Sequence, residues 1–222
     1  MANLGQIRLF FPIIIISVLV VAMDAVIMPI LMEYYGHKTL TMVLVLDFSV
    51  VFLAGLASLF FTHRVSYPLW YCSSNGASEP IRKTYIPVLL GLSITAANTL
   101  INLVYLDQTK QTAPWITLLT PEMAIAVSIR AALNEETVFR LFLFPLVTWI
   151  FLHLKRSKKM SLVAGALSSS IAFGFVHGSG FILAFLVGLA FVYVYLQRGL
   201  LPAMIMHFLA DAIPFLLISM ML

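Results

Sequence analysis

Long apolar runs dominate the chain, and only short polar segments separate them. A helix needs about 20 apolar residues to cross a bilayer, and each run has roughly that length or more. The runs cover residues 9–32, 40–61, 85–106, about 115–154, 160–177, 181–197 and 200–222. This pattern predicts an all-α fold, a polytopic transmembrane helix bundle with seven to eight spans.

The fourth run is long enough for two short spans, or for one long helix entered through Pro114 and Pro121 from a short re-entrant piece. With the N-terminus in the cytoplasm and one crossing here, only Lys38 and Lys110 lie outside, and nine of the thirteen basic residues lie inside. The nine are Arg8, Arg64, Arg82, Lys83, Lys155, Arg156, Lys158, Lys159 and Arg198. Two crossings would place the basic block 155–159 outside, against the positive-inside tendency. We therefore favour seven spans and keep eight as the alternative.

Composition supports a membrane protein, because 62% of the residues are hydrophobic and 10% are charged, whereas soluble domains carry about 25% charged residues. The net charge of +4 comes from basic residues in short loops, not from a basic stripe, so we predict no nucleic-acid partner. The single cysteine, Cys72, excludes an internal disulfide and a cysteine-rich metal site. Helix packing must therefore hold the fold together.

The chain reads as one integral-membrane domain, 1–222, without an internal repeat. Its only polar connection of any size is 62–84. The first apolar run is too long for a signal-peptide core, and no convincing cleavage site follows it. We expect the protein in the cell membrane with a cytoplasmic N-terminus.

Two adjacent glutamates and an arginine interrupt the fourth apolar run, at Glu135, Glu136 and Arg140. An ionised group deep in a bilayer costs at least a few kcal/mol, so it persists where it is paired or used. On a helix Glu136 and Arg140 share a face and can form an ion pair, while Glu135 points about 100° away from Glu136. Glu135 is thus left without an ion-pair partner and is free for another role. The alternative is that both glutamates only neutralise Arg140 and Arg130.

Two histidines also lie within apolar runs. His177 follows Phe173 by four residues, and His207 and Asp211 are likewise four apart, so each pair shares a helix face. Together with Glu135 they predict one converging site. A carboxylate there can take a proton from water, and two imidazoles can bind a metal or stabilise an oxyanion. Asp211 would fix a histidine tautomer or act as a further ligand, and zinc suits such donors if a metal is bound.

Three motifs in this order resemble the CAAX protease and bacteriocin-processing family of intramembrane proteases, also called the CPBP or Abi family. They are Glu135-Glu136-x-x-x-Arg140, Phe173-x-x-x-His177 and His207-x-x-x-Asp211. The resemblance covers 114–222, and 1–113 holds N-terminal spans of uncertain role. It places the catalytic site on the C-terminal four helices.

By this resemblance Glu135 activates water, His177 and His207 complete the site, and Glu136 and Arg140 hold the helix in place. Asp211 departs from the asparagine of the family's prenyl-protein proteases, although other members carry aspartate there. The family implies either a metalloprotease or a metal-free Glu/His enzyme.

The resemblance also bears on the substrate. Members cleave prenylated CAAX proteins, process small secreted peptides or give bacteriocin self-immunity. Short loops favour a prokaryotic member that acts on a membrane-associated protein or peptide.

Two alternative functions stay open. Asp24, Asp47 and Arg130 also lie in apolar spans, which would suit a proton-coupled transporter or simple ion pairing. A binding protein without turnover, such as an immunity or regulatory protein, is the other alternative.

Helix lengths pose a difficulty for the converging site. His207 is about 9 Å from Leu201 along its helix, and His177 is about 26 Å from Met160 at the same membrane face. Upright helices would keep these histidines apart. Tilting, a start of the 160–177 helix outside the hydrocarbon, or the eight-span topology would bring them together.

Overall fold

The computed structural model describes residues 4–35, 40–70 and 81–222, and these residues are helical nearly throughout, without a strand. The α-helices are α1 (Leu4–Val26), α2 (Met28–Tyr35), α3 (Leu40–Val65), α4 (Ile81–Val104), α5 (Leu106–Thr112), α6 (Pro121–Glu135), α7 (Phe144–His153), α8 (Lys158–Val176), α9 (Phe181–Arg198) and α10 (Leu200–Met221). Two 3-10 helices cover Pro114–Leu118 and Gly178–Gly180, and a π-helix covers Glu136–Leu143.

Six helical segments of the described chain are long and apolar enough to cross a membrane. They are Thr41–Val65, Tyr85–Val104, Pro121–His153, Lys158–Val176, Gly178–Arg198 and Leu200–Met221. Phe10–Val26 is a shorter apolar helix. The prediction of an all-α transmembrane bundle is confirmed, and five of the predicted runs match helices to within a few residues. Cys72, in the polar connection, lies outside the described residues.

The first predicted span, 9–32, is not one uninterrupted helix. A turn at Ile27 separates α1 from α2. Pro29 explains the break, because a proline has no N–H to donate to the carbonyl of Ala25, four residues earlier. The backbone N–H of Ile27 still donates to Met23, so the chain continues in nearly the same course.

The fourth run forms one long helical segment, Pro121–His153, and not two short spans. Its start has a side-chain cap, because the Thr120 hydroxyl accepts a hydrogen bond from the backbone N–H of Met123 and Pro121 occupies the first turn. The preceding 3-10 helix lies where a short entry piece was predicted. This single segment argues against the split on which the eight-span alternative rested, and the described chain has six segments of spanning length and one shorter apolar helix where seven to eight spans were predicted.

Small residues allow close packing beside the fourth segment. Gly188 of α9 lies so near Ser170 of α8 that an added Cβ would meet the serine Cβ at 3.1 Å. Large apolar side chains, in contrast, point outward, among them Leu53, Leu92 and Ile182. Such a distribution is expected where lipid, not water, surrounds the helices.

The turn between α9 and α10 is recessed. Gly199 has φ +93°, a conformation that favours glycine. The next two backbone N–H groups, of Leu200 and Leu201, donate to the carbonyls of Leu69 and Trp70 at 3.3 and 3.0 Å, and Leu200 is fully buried. The chain after α3 therefore contacts the start of α10 and covers Leu200, whereas Leu201 is exposed. The Nε2 atoms of His177 and His207 lie 3.8 and 3.9 Å from Glu135 Oε2, so the expected separation of the two histidines does not occur.

A cluster of three charges joins the N-terminal helices to the fourth segment. Arg130 of α6 donates from Nε to Asp24 of α1 and from Nη2 to Asp47 of α3. Asp24 is fully buried. The ion-pairing alternative for these residues therefore agrees with the geometry.

Candidate functional site

A π-helical segment begins directly after Glu135. Its bonds span five residues, as in the donation from Phe144 N–H to the Phe139 carbonyl. Pro145 favours this local change because its missing N–H leaves a gap in the α-helical pattern. Our prediction of a regular α-helix is wrong here. Glu135 ends the α-helix and Glu136 begins the π-helix, so the change in hydrogen-bond pattern falls between the two glutamates.

Glu136 is the anchor of the site. Its side chain is fully buried, and Oε1 accepts a hydrogen bond from His207 Nδ1 at 2.8 Å. The same oxygen lies 3.3 Å from Arg140 Nη1, which gives the predicted ion pair. Glu136 therefore does more than hold its own helix, since it also sets the orientation of the His207 ring on α10.

Aromatic rings enclose the Arg140 guanidinium. Its centre lies 4.1 Å from the ring of Phe173 and 5.1 Å from that of Phe191. The Phe191 ring also stacks on His207 at 4.8 Å, and the Phe173 ring contacts His177 at 4.5 Å. Phe173 thus contacts both histidines and the buried cation, and its role as a supporting residue of the site stays a prediction.

The tautomer of His177 follows from its backbone partner. Nδ1 lies 2.7 Å from the carbonyl of Phe173, and a carbonyl only accepts hydrogen bonds. Nδ1 must therefore carry the proton, which leaves Nε2 as the acceptor in the neutral ring. Nε2 lies 3.8 Å from Glu135 Oε2.

Glu135 Oε2 faces both imidazoles. It lies 3.9 Å from His207 Nε2 as well as near His177, and both distances exceed a direct hydrogen bond. The atom is buried and has no hydrogen-bond partner within the described chain. A buried carboxylate oxygen without a partner is rare in native structures and is typical of a catalytic role or of a bound water.

Asp211 lies on the cavity side of His207. Its Oδ2 is 3.3 Å from His207 Nε2. Glu136, and not Asp211, occupies Nδ1 of this ring. The predicted convergence of Glu135, His177, His207 and Asp211 is therefore present in the geometry, while their catalytic roles stay a prediction.

A cavity of about 240 Å³ is lined by His177, His207 and Asp211, and Glu135 lies behind the two histidines without lining it. Burial differs across it: the His207 side chain is 4% exposed, whereas those of His177 and Glu135 are 37% and 26% exposed. Access from outside is therefore at the His177 edge. The lining residues include His177, His207, Asp211, Phe173, Phe191, Asn98 and Asn102.

Sequence reasoning assigned the site to the C-terminal helices alone and missed the contribution of α4. Asn98 and Asn102 of this helix line the cavity beside His207 and Asp211. Their spacing of four residues placed them on one face, but nothing local indicated that the face would meet α10. Only the packing of α4 on α10 brings them to the site.

The donor atoms are of the types that zinc prefers, namely imidazole nitrogens and carboxylate oxygens. Within the described chain, however, no group of three or more His, Cys, Asp or Glu side chains is arranged to hold a metal ion. The residues as placed do not fit a three-ligand zinc site. Zinc stays a prediction from the donor types.

Comparison with known proteins agrees with the motif resemblance. Residues 115–213 match the family model described as type II CAAX prenyl endopeptidase Rce1-like, a stretch of a little under half of the chain that contains every predicted site residue. No curated protein and no solved structure gives a match. The protein is thus a polytopic integral membrane protein whose segment 115–213 matches the Rce1-like family model of type II CAAX prenyl endopeptidases.

Proposed function

We propose that this protein is an intramembrane endoprotease that hydrolyses a peptide bond in a membrane-associated protein or peptide, with Glu135 as the general base. The observation that carries the proposal is the position of Glu135 Oε2. This buried oxygen lacks a hydrogen-bond partner in the described chain and lies 3.8 and 3.9 Å from the Nε2 atoms of two histidines. A water molecule between these three atoms would contact all of them.

The first chemical step is the activation of that water. Glu135 takes one proton, His177 Nε2 accepts the second O–H as a hydrogen bond, and the oxygen attacks the carbonyl carbon of the substrate. The carbonyl electrons move to the oxygen, which becomes an oxyanion. In its doubly protonated form, His207 donates its Nε2–H to this oxyanion.

The second step breaks the carbon–nitrogen bond. Protonated Glu135 returns its proton to the substrate nitrogen as the tetrahedral intermediate collapses. One water is consumed, and an acid and an amine leave. Glu136 and Arg140 touch no reacting atom in this scheme, and they hold His207 and the aromatic rings in place.

We infer the class of substrate from the size and position of the cavity. The cavity is small and opens between helices, so an extended peptide has to approach along the membrane. We place the protein in the cell membrane of a prokaryote, with a cytoplasmic N-terminus. Its substrate is a lipid-anchored or helix-anchored peptide, and processing of a leader peptide or self-immunity would be its cellular use.

The test uses purified protein in lipid vesicles and three quenched fluorescent peptides of one sequence. One carries a farnesylated cysteine three residues before its C-terminus, one an apolar helical anchor, and one no anchor. We expect cleavage of at least one anchored peptide at a single bond, identified by mass spectrometry, and little cleavage of the free peptide. Binding of an anchored peptide without cleavage would instead identify a binding protein without turnover.

Metal removal is a second prediction. Because the proposed mechanism needs only Glu135 and the histidines, dialysis against a strong chelator is expected to leave the cleavage rate within about twofold of its starting value. The rate is measured before dialysis, after it, and after addition of zinc. A rate that falls more than tenfold and returns with zinc would contradict the metal-free scheme and support a zinc enzyme.

A further inference from the structure

A proline leaves a gap in α10 next to the site. Pro214 lies inside this helix and has no N–H, so the carbonyl of Ala210, four residues earlier, loses its helical donor. Ala210 is buried. Its carbonyl would therefore lack a partner unless another element of the bundle supplied one, and an unsatisfied buried carbonyl is costly.

Helix α4 supplies that donor. Asn98 Nδ2 donates to the Ala210 carbonyl at 2.9 Å, a contact between residues 112 positions apart in the chain. Asn102, one turn later on α4, donates from Nδ2 to the Asn98 side-chain oxygen at 2.9 Å. Because Asn102 occupies this oxygen, the amide nitrogen of Asn98 faces α10. The two asparagines act as one oriented donor.

The hydrogen bond from Asn98 to the Ala210 carbonyl meets α10 between His207 and Asp211. Ala210 directly precedes Asp211 and is three residues after His207, and the asparagines line the same cavity as both side chains. A proline also tends to kink a helix at the turn that precedes it. A change in the direction of α10 at this turn would move Asp211 and His207 relative to Glu135.

We propose that Asn98 is a positioning residue for the proteolytic site: by bonding the carbonyl that Pro214 leaves free, it fixes α10 so that His207 and Asp211 face Glu135. This inference rests on the proposed protease function. It gives α4, which lies outside the matched family segment, a direct part in the active site.

A double-mutant cycle tests the inference. Asn98→Ala is made in the wild-type protein and in Pro214→Ala, where residue 214 regains an N–H and can bond the Ala210 carbonyl within the helix. In the wild-type background we expect kcat to fall about tenfold with KM changed by less than about twofold, as for loss of a hydrogen bond to a buried group. In the Pro214→Ala background the same substitution should change kcat by less than about twofold. Ser93→Ala, on an exposed position of α4, is the matched control and should be neutral.

Thermal melting of the same four proteins gives a readout that needs no proteolysis. Asn98→Ala should lower the melting temperature more in the wild-type background than beside Pro214→Ala. An equal loss of kcat in both backgrounds, or a lower melting temperature with unchanged kcat, would overturn the positioning role. A wild-type protein that cuts no peptide would instead refute the proposed function, while the melting cycle still reports whether Asn98 replaces the missing helical donor.

Discussion

Glu135→Gln is expected to lower kcat/KM about a thousandfold while the protein stays folded, because general-base catalysis contributes about 10² to 10⁴. Glutamine keeps the size of the side chain and can still hold a water molecule, but it cannot take a proton from it. The Glu135 side chain is only partly buried and has no described ion pair at hydrogen-bonding distance. Its loss should therefore leave packing nearly unchanged. The measurement is initial cleavage of the anchored peptide in vesicles, with thermal melting as the check on folding.

Two matched variants sharpen this experiment. Glu122→Gln changes an exposed glutamate in the first turn of the same helix and should keep full activity. Glu136→Gln should lower both activity and melting temperature, since Glu136 is fully buried and bonds His207 and Arg140. If Glu135→Gln keeps more than a tenth of the wild-type activity, Glu135 is not the general base and the proposed mechanism is wrong.

The spans and the local pairs of the site were predictable because their signals are local. A run of apolar residues identifies a span without reference to the rest of the chain. The same holds for Glu136 and Arg140, because a spacing of four on a helix is enough to predict their ion pair, which the structure places at 3.3 Å. The three motifs then suggested that Glu135 and the histidines converge, through resemblance and not through geometry.

The contacts between distant segments could not be predicted in this way. His207 is 71 residues from Glu136, and no periodicity relates them, so the sequence left Glu136 as a support for its own helix and offered Asp211 as the group that fixes a tautomer. The π-helix was missed for a related reason. Pro145 indicates a disturbance in the helix, but the hydrogen-bond pattern that replaces it depends on the surrounding packing.

The expected separation of His207 and His177 does not occur. That expectation took the first residue of each helix as a membrane face. Leu200 begins a helix, but it is fully buried and its N–H bonds the chain after α3. A sequence cannot indicate that a turn lies beneath another segment, since the covering residues, Leu69 and Trp70, are far away in the chain. The same limit concealed the role of Asn98, whose partner is a backbone carbonyl with no sequence signature of its own.

A large effect on stability is expected at Arg130, where Arg130→Met should lower the free energy of unfolding by about 3 kcal/mol, because removal of one partner from a buried ion pair costs about 3 to 5 kcal/mol. The lower end applies since the Arg130 side chain is 26% exposed, although Asp24 is fully buried. The variant leaves Asp24 and Asp47 without their cation between α1, α3 and α6. Equilibrium unfolding in mixed micelles gives the free energy.

Replacing the whole cluster separates a structural role of these charges from a direct role in cleavage. In the triple variant Asp24→Leu, Asp47→Leu and Arg130→Met, no buried charge is left unpaired, so most of the lost stability should return. Cleavage per folded molecule should equal that of the wild type, because none of the three side chains lines the cavity beside Glu135. A stable Arg130→Met protein would contradict the structural role of the cluster. A triple variant that folds but has lost its cleavage activity would show that these charges serve the proteolytic site directly and not only the fold.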